Sequence, residues 1–159
     1  NRQHGTNFLS VMPTNLYGIQ DNFHRDNSHV IPGMIARLHD VMKKNGPTFE
    51  VWGTGRPYRE FLYVDDLAKA CIFLMKCQRE LPDWINIGTG CDISIKVLAH
   101  LIAESMGFKG NIVFNPKFPD GTMKKLLDVS KIQALGWSPA VSLSEGIQRT
   151  IEFFLKYHA

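Results

Sequence analysis

Pro13-Thr-Asn-Leu-Tyr-Gly-Ile-Gln-Asp-Asn-Phe-His-Arg-Asp-Asn-Ser-His-Val-Ile-Pro32 is the stretch whose reading decides the fold. It follows a short apolar run, Phe8-Leu9-Ser10-Val11-Met12, which predicts a buried strand ended by a residue that cannot donate to a ladder. Between Asn15 and Ser28 the side chains are mostly Asn, Asp, Gly, Gln and His. That is too polar for a core and too long for an ordinary connection. A long polar loop after a strand in an α/β domain is where ligands bind. Apolar structure resumes at Val30-Ile31-Pro32, with proline suited to a first helical turn, so His29 marks the junction of loop and helix.

The remainder of the chain alternates strands and helices. Ile31, Met34, Ile35, Leu38, Val41 and Met42 recur at three- and four-residue steps and predict a helix over about Pro32–Lys44, with Arg37 and His39 off its apolar face. Asn45-Gly46-Pro47 stops it, Gly46 being available for a left-handed cap. Strands are expected at Phe49–Trp52, Arg59–Val64, Trp84–Ile87 and Asn111–Phe114. Asp65-Asp66 would cap a helix from Leu67 to about Cys77, Ser94 a third helix, Ser130 a short one, and Ser142 with Glu145 would form a capping box for the last. This pattern predicts one α/β domain over residues 1–159.

Composition narrows the class. Hydrophobic content of 44% with 21% charged residues is ordinary for a globular chain. The net charge of +3 is spread out, with no Lys/Arg block, so no nucleic-acid partner is expected. No apolar run has the length of a membrane span, and no membrane association is expected. Three cysteines, Cys71, Cys77 and Cys91, lack metal-ligand spacing; the expectation is no metal site and a cytoplasmic location.

Two Gly-x-Gly turns, Gly53-Thr54-Gly55 and Gly88-Thr89-Gly90, lack the third glycine of a dinucleotide fingerprint and read as tight strand-end turns. His29 can exchange a proton near neutrality, or it is a surface or helix-capping histidine. Arg59 beside a glycine turn could fork onto a phosphate, or pair with Glu60 or Asp65. Trp52 offers a flat face for a base or sugar, or fills a core. Asp120-Gly121 could hold sugar hydroxyls, or be a plain turn. Lys124 and Lys125 are phosphate candidates or solvated lysines.

Taken together, Pro13-Thr-Asn-Leu-Tyr-Gly18, Asp21-Asn-Phe-His24, Asn27-Ser-His-Val-Ile-Pro32, Val51-Trp-Gly-Thr-Gly55, Arg59-Glu-Phe-Leu62, Val64-Asp-Asp66, Asn86-Ile-Gly-Thr-Gly90, Pro119-Asp-Gly-Thr122, Lys125-Leu-Leu-Asp128 and Leu135-Gly-Trp137 resemble the GDP-L-fucose synthase family. These are extended short-chain dehydrogenase/reductases that use NADP(H) to epimerise and reduce GDP-4-keto-6-deoxy-D-mannose to GDP-L-fucose. The resemblance runs through nearly the whole chain, and the Asp21–Pro32 run is its narrowest part. It implies the C-terminal substrate-binding part of such a fold, with strand Phe8–Met12 belonging to the Rossmann sheet.

It also implies residue roles. His29 becomes the epimerisation acid/base; Pro13, Thr14, Asn15 and Leu16, with His29, contact the cofactor; Arg37, Trp52, Arg59 and Asp120 contact the GDP-sugar. The family's cofactor glycine loop, its Tyr-x-x-x-Lys pair and a catalytic cysteine have no counterpart in this sequence, so the N-terminal cofactor-binding half is expected outside it. Activity of this chain alone is therefore not expected, and a homo-oligomer is. A module that binds nucleotide-sugars or a protein partner without redox chemistry is the alternative.

Overall fold

The structure, a computed structural model, describes residues 1–159. In chain order the elements are β1 (Ser10–Pro13), β2 (Asn15–Tyr17), α1 (Val30–Lys43), β3 (Thr48–Trp52), β4 (Tyr58–Tyr63), α2 (Val64–Lys76), β5 (Trp84–Ile87), β6 (Asp92–Ser94), α3 (Ile95–Ser105), β7 (Asn111–Asn115), β8 (Lys124–Lys125), α4 (Ser130–Ala134) and α5 (Leu143–Tyr157). The α/β class is the one expected. β1 pairs with β5 in parallel, Ser10 opposite Trp84 and Pro13 opposite Ile87. β2 and β3 pair in parallel with β4 and β7 respectively, while β4 also takes β6 antiparallel and β8 parallel.

β4 divides the interior by simple alternation of side chains. Phe61 and Tyr63 enter the larger core with Ile35, Leu38, Phe49, Leu98 and Ile147, beneath α1, α3 and α5. Leu62 enters a smaller one with Leu74, Ile85, Ile87, Ile132 and Trp137, beneath α2 and α4. Both faces are covered, as parallel strands require.

Several local expectations are corrected. β1 starts later than Phe8 and includes Pro13, whose missing N–H costs nothing as the strand's last residue. The segment after it is not all loop: Asn15–Tyr17 forms β2, with Tyr17 buried. α1 begins at Val30, so Pro32 lies within its first turn. Asn45, not Gly46, takes the left-handed conformation after it, at φ 50°. His39 packs edge-on against Phe154, ring centroids 5.2 Å apart. α2 starts at Val64 and is not capped by an aspartate; Asp66 is buried and accepts instead from the backbone N–H groups of Ala140 and Val141. Asp128, not Ser130, accepts from a backbone N–H at the start of α4. Ser94 and Ser142 do cap α3 and α5, while Glu145 pairs with Arg149 rather than closing a capping box. The short strands β6 and β8 were not expected at all.

All three cysteines are free, and no helix is long and apolar enough to cross a membrane. The β1–β5 pair has no further strand on either edge, and Phe8, Met12 and Trp84 are 76%, 54% and 51% exposed along it.

Glu60 ties these layers together. It is fully buried, and its carboxylate accepts from the backbone N–H of Gly90 at 2.7 Å, that of Leu127 at 3.0 Å and the Thr89 hydroxyl at 3.4 Å. Its own carbonyl accepts from the Asn15 amide at 2.7 Å and the Thr14 hydroxyl at 3.3 Å. A Cβ on Gly88 would stand 2.3 Å from a Glu60 carboxylate oxygen, so only glycine allows this approach. Glu60→Ala strands buried donors and is expected to lower stability by about 3 kcal/mol. Gly88→Ala is expected to cost about 2 kcal/mol through overpacking. Urea midpoints at constant m-value measure both; a Glu60→Ala change within ~0.5 kcal/mol of wild type, the range of ordinary surface substitutions, would refute the role.

Candidate active site

A cleft of about 350 Å³ opens where the end of β2, the start of α1 and the turns after β3 and β7 meet. Of the residues expected at a site, it brings together Asn15, Leu16, His29, Trp52, Arg59 and Asp120. Pro13, Thr14 and Arg37 are not in its wall.

His29 is the N-cap residue of α1, with extended backbone (φ −66°, ψ 165°), yet its side chain makes no capping hydrogen bond. The imidazole is exposed to the cleft and unspent. The helix-capping alternative therefore does not hold for its side chain. Val30, Ile31 and Pro32 continue the same wall, so the positive end of α1 faces the cavity.

Across the cleft, Arg59 forms no ion pair with Glu60 or Asp65; neither appears among the chain's salt bridges. Its guanidinium donates to the carbonyls of Tyr58 at 2.7 Å and Asp120 at 3.5 Å, which orients it without neutralising it. A positive charge held this way, half-buried, suits a phosphate. A second cavity of about 360 Å³ shares Arg59 and Phe61, so the guanidinium stands on the wall between two spaces.

Asp120 is committed to Thr54. One carboxylate oxygen accepts from the Thr54 N–H at 2.7 Å and the other from its hydroxyl at 2.6 Å. These bonds hold its carboxyl below the usual carboxylate range, with Arg56 and Arg59 adding to the effect. The free lone pairs remain at the cleft, so Asp120 both clasps the Gly53–Gly55 turn and faces the cavity.

Trp52 carries two stacking partners. Phe118 lies nearly parallel to it, centroids 4.6 Å apart at 13°, and the Arg37 guanidinium sits 4.2 Å from its ring centroid. A base gains that ring face only where Phe118 gives way. Arg37 itself lies behind Trp52, donating to the Arg25 carbonyl at 2.8 Å. Burial pushes its pKa below the usual arginine value, opposed by Asp26. Its Nε and the nearby Ser28 hydroxyl are buried without partners, and both side chains crowd the space above Gly33.

Pro13 and Thr14 sit where the backbone crosses from β1 to β2. The Thr14 N–H donates to the Ile87 carbonyl at 3.0 Å, placing Asn15 and Leu16 just beyond the C-terminal ends of the parallel strands β1 and β5, the usual ligand edge. Lys124 is drawn off to Asp92, 3.5 Å away, and does not line the cleft. Sequence reasoning passed over Tyr17, which lines the floor and donates to the Leu143 carbonyl at 3.3 Å; burial pushes its phenol pKa far up. No group of three or more His, Cys, Asp or Glu side chains is placed to hold a metal ion.

Comparison with known proteins places the chain among sugar-nucleotide epimerases and reductases by sequence and fold. The chain is 51% identical over 154 residues to a probable GDP-L-fucose synthase 1 of Oryza sativa subsp. japonica, covering 97% of this chain and 47% of the relative. It is 48% identical over 164 residues to the GDP-L-fucose synthase of Escherichia coli (strain K12), covering 98% and 51%. Its fold matches a crystal structure of a GDP-L-fucose synthetase from Naegleria fowleri bound to NADP, with TM-score 0.87 and 31% identity over 94% of this chain and 47% of that one. The chain thus spans about half the length of the curated relatives it matches. The model of the NAD dependent epimerase/dehydratase family matches residues 1–88, more than half of the 159. The chain belongs to that family.

Proposed function

We propose that this chain supplies the GDP-sugar site and the acid/base histidine of an NADPH-dependent enzyme that converts GDP-4-keto-6-deoxy-D-mannose to GDP-L-fucose. The observation that carries the reading is the shared cleft: an unspent imidazole, His29, and an unneutralised guanidinium, Arg59, line the same cavity. Arg59 fixes the diphosphate. His29 serves the carbon centres beside the C4 ketone, whose hydrogens the carbonyl acidifies, as one member of an acid/base pair. One member takes the proton from one face; the other, a cysteine in the remaining half of the relatives' length, stands on the opposite face, so that the proton removed by one is replaced by a proton from the other. Asp120 accepts from a sugar or ribose hydroxyl through its free lone pairs.

NADPH, when bound, supplies the hydride that reduces C4. This chain offers it Asn15, Leu16 and His29 at the cleft, with Pro13 and Thr14 holding the strand end behind them, a setting that suits the nicotinamide side of the cofactor. The phosphate-binding loop and the tyrosine that protonates the C4 oxygen belong to the other half of the relatives' length. In the cell the assembly works in the reducing cytoplasm, in keeping with three free cysteines, and the exposed apolar residues along β1–β5 are covered by self-association or by that other half.

Calorimetry with GDP tests the first claim. The 159-residue chain is expected to bind GDP, and Arg59→Ala to weaken it at least about tenfold, the worth of a charge-assisted bond. His29→Asn is expected to leave GDP affinity within about twofold, since a proton-transfer group adds little ground-state binding. No GDP binding by the wild-type chain would favour a scaffold role instead.

Turnover tests the second claim. The chain alone is expected not to oxidise NADPH with the 4-keto sugar, while the chain combined with the N-terminal half of a relative is expected to do so. In that assembly His29→Asn is expected to slow deuterium uptake from solvent at the sugar carbons at least about a hundredfold. Turnover by the isolated chain, or uptake unchanged in the variant, would overturn the assignment. Sedimentation at high concentration is expected to show self-association; a strictly monomeric profile would count against the covered face.

A further inference from the structure

The loop between β2 and α1 satisfies its own backbone with its own side chains. The Asp21 carboxylate accepts from the Asn22 N–H at 2.8 Å. Asn22 accepts from the His24 N–H at 3.0 Å and donates to the Asn27 carbonyl at 2.7 Å. Nδ1 of His24 accepts from two backbone donors at once, the N–H groups of Asp26 at 3.1 Å and Asn27 at 3.0 Å. Two outer ties dock this bend. Phe23 is buried beside Phe154, centroids 5.1 Å apart, and Arg25 pairs with Asp40 of α1 at 2.6 Å.

The consequence falls on His29, two residues beyond Asn27. The position of its imidazole depends on how the chain leaves the bend, because His29 caps α1 only through its backbone. We propose that His24 is a positioning residue for His29: the lone pair on its Nδ1 closes the Asp26–Asn27 turn and so sets the angle at which His29 enters the cleft. The chemistry is that of an Asx turn, with an imine nitrogen standing where an Asn Oδ1 normally accepts. Because His24, Asp26 and Asn27 are exposed, each bond is weak. Such a bond is enough to order a loop and too little to govern global stability. The catalytic side of this proposal rests on the role assigned to His29.

Nitrogen NMR of the 159-residue chain reads the ring directly. The expected result is a bare Nδ1 and a protonated Nε2 on His24, with coupling from Nδ1 to the amides of Asp26 and Asn27; an Nδ1–H tautomer overturns the proposal. Two variants separate acceptor position from side-chain size. His24→Asn keeps an acceptor at the same atom position and is expected to preserve both slow amide exchange at Asp26 and Asn27 and the His29 ring resonance. His24→Gln moves the acceptor one bond outward; it is expected to speed that exchange about fivefold, the worth of one such bond, and to shift the His29 resonance, with circular dichroism unchanged. Equal behaviour of the two variants, or a His29 resonance indifferent to both, overturns it. In the active assembly His24→Gln is expected to lower kcat at least about tenfold with KM within twofold, and His24→Asn to restore it. A wild-type assembly without turnover would sink the functional reading while leaving the NMR result to decide the role of His24.

Discussion

A single buried carboxylate organises this molecule. Glu60 stands in the middle of β4 with no arginine or lysine as partner, and its charge is met by backbone donors from two different loops. An uncompensated charge there would cost several kcal/mol, so the loops are obliged to come to it. One is the Gly88–Gly90 turn, the other the segment leading to α4. Its carbonyl collects Thr14 and Asn15 as well, which fastens the crossing from β1 to β2. Arg59, the next residue back along the strand, necessarily points the other way, into the cleft. The alternation of one strand thus gives a structural carboxylate and an available guanidinium side by side.

The same logic explains why the cleft stays open and polar. Asp120 clasps Thr54, Arg37 and Phe118 hold Trp52, and the Asp21–Asn27 bend satisfies its own backbone. Most of each wall is held by bonds made before any ligand arrives, although the Ser28 hydroxyl and the Arg37 Nε stay without partners. What remains unsettled is the imidazole of His29, the charge of Arg59 and the spare lone pairs of Asp120. A site whose ligand-facing groups are already held in place loses little to reorganisation on binding.

Much of this was legible in the residues. The three- and four-residue apolar spacing located α1, because a helix face buried against a sheet must repeat at that period, whereas the polar stretch Asn15–Ser28 opens with a strand, and its residues beyond Tyr17 do not line the cleft. Ser94 and Ser142 declared their helices. What escaped notice was whatever depends on distant partners. β2, β6 and β8 are two or three residues long and exist only because β4 lies beside them. Asp66 looked like a cap and is instead an acceptor for a segment more than seventy residues away. Glu60 looked like the partner of Arg59, since adjacency in sequence is visible and the opposite facing of neighbours along a strand is easily forgotten. His24 stood within the very run that named the family, yet nothing local says that its nitrogen folds the backbone ahead of it.

The two steps of the proposed reaction call for two different kinds of structural device. Moving a proton at carbon needs a titratable group held at a known angle, and a bend stiffened by side-chain-to-backbone bonds achieves that with a dozen residues. Moving a hydride needs a cofactor clamped along its whole length, which takes a strand, a glycine turn and a helix N-terminus acting together. The first device is local, its hydrogen bonds running between Asp21 and Asn27. The second is an assembly of elements, and the parallel pair β1 and β5, with exposed apolar residues along it, is the part of this fold that suits one. The β1–β5 ladder has no strand on either edge and carries exposed apolar residues, so it is the face on which further strands would pair.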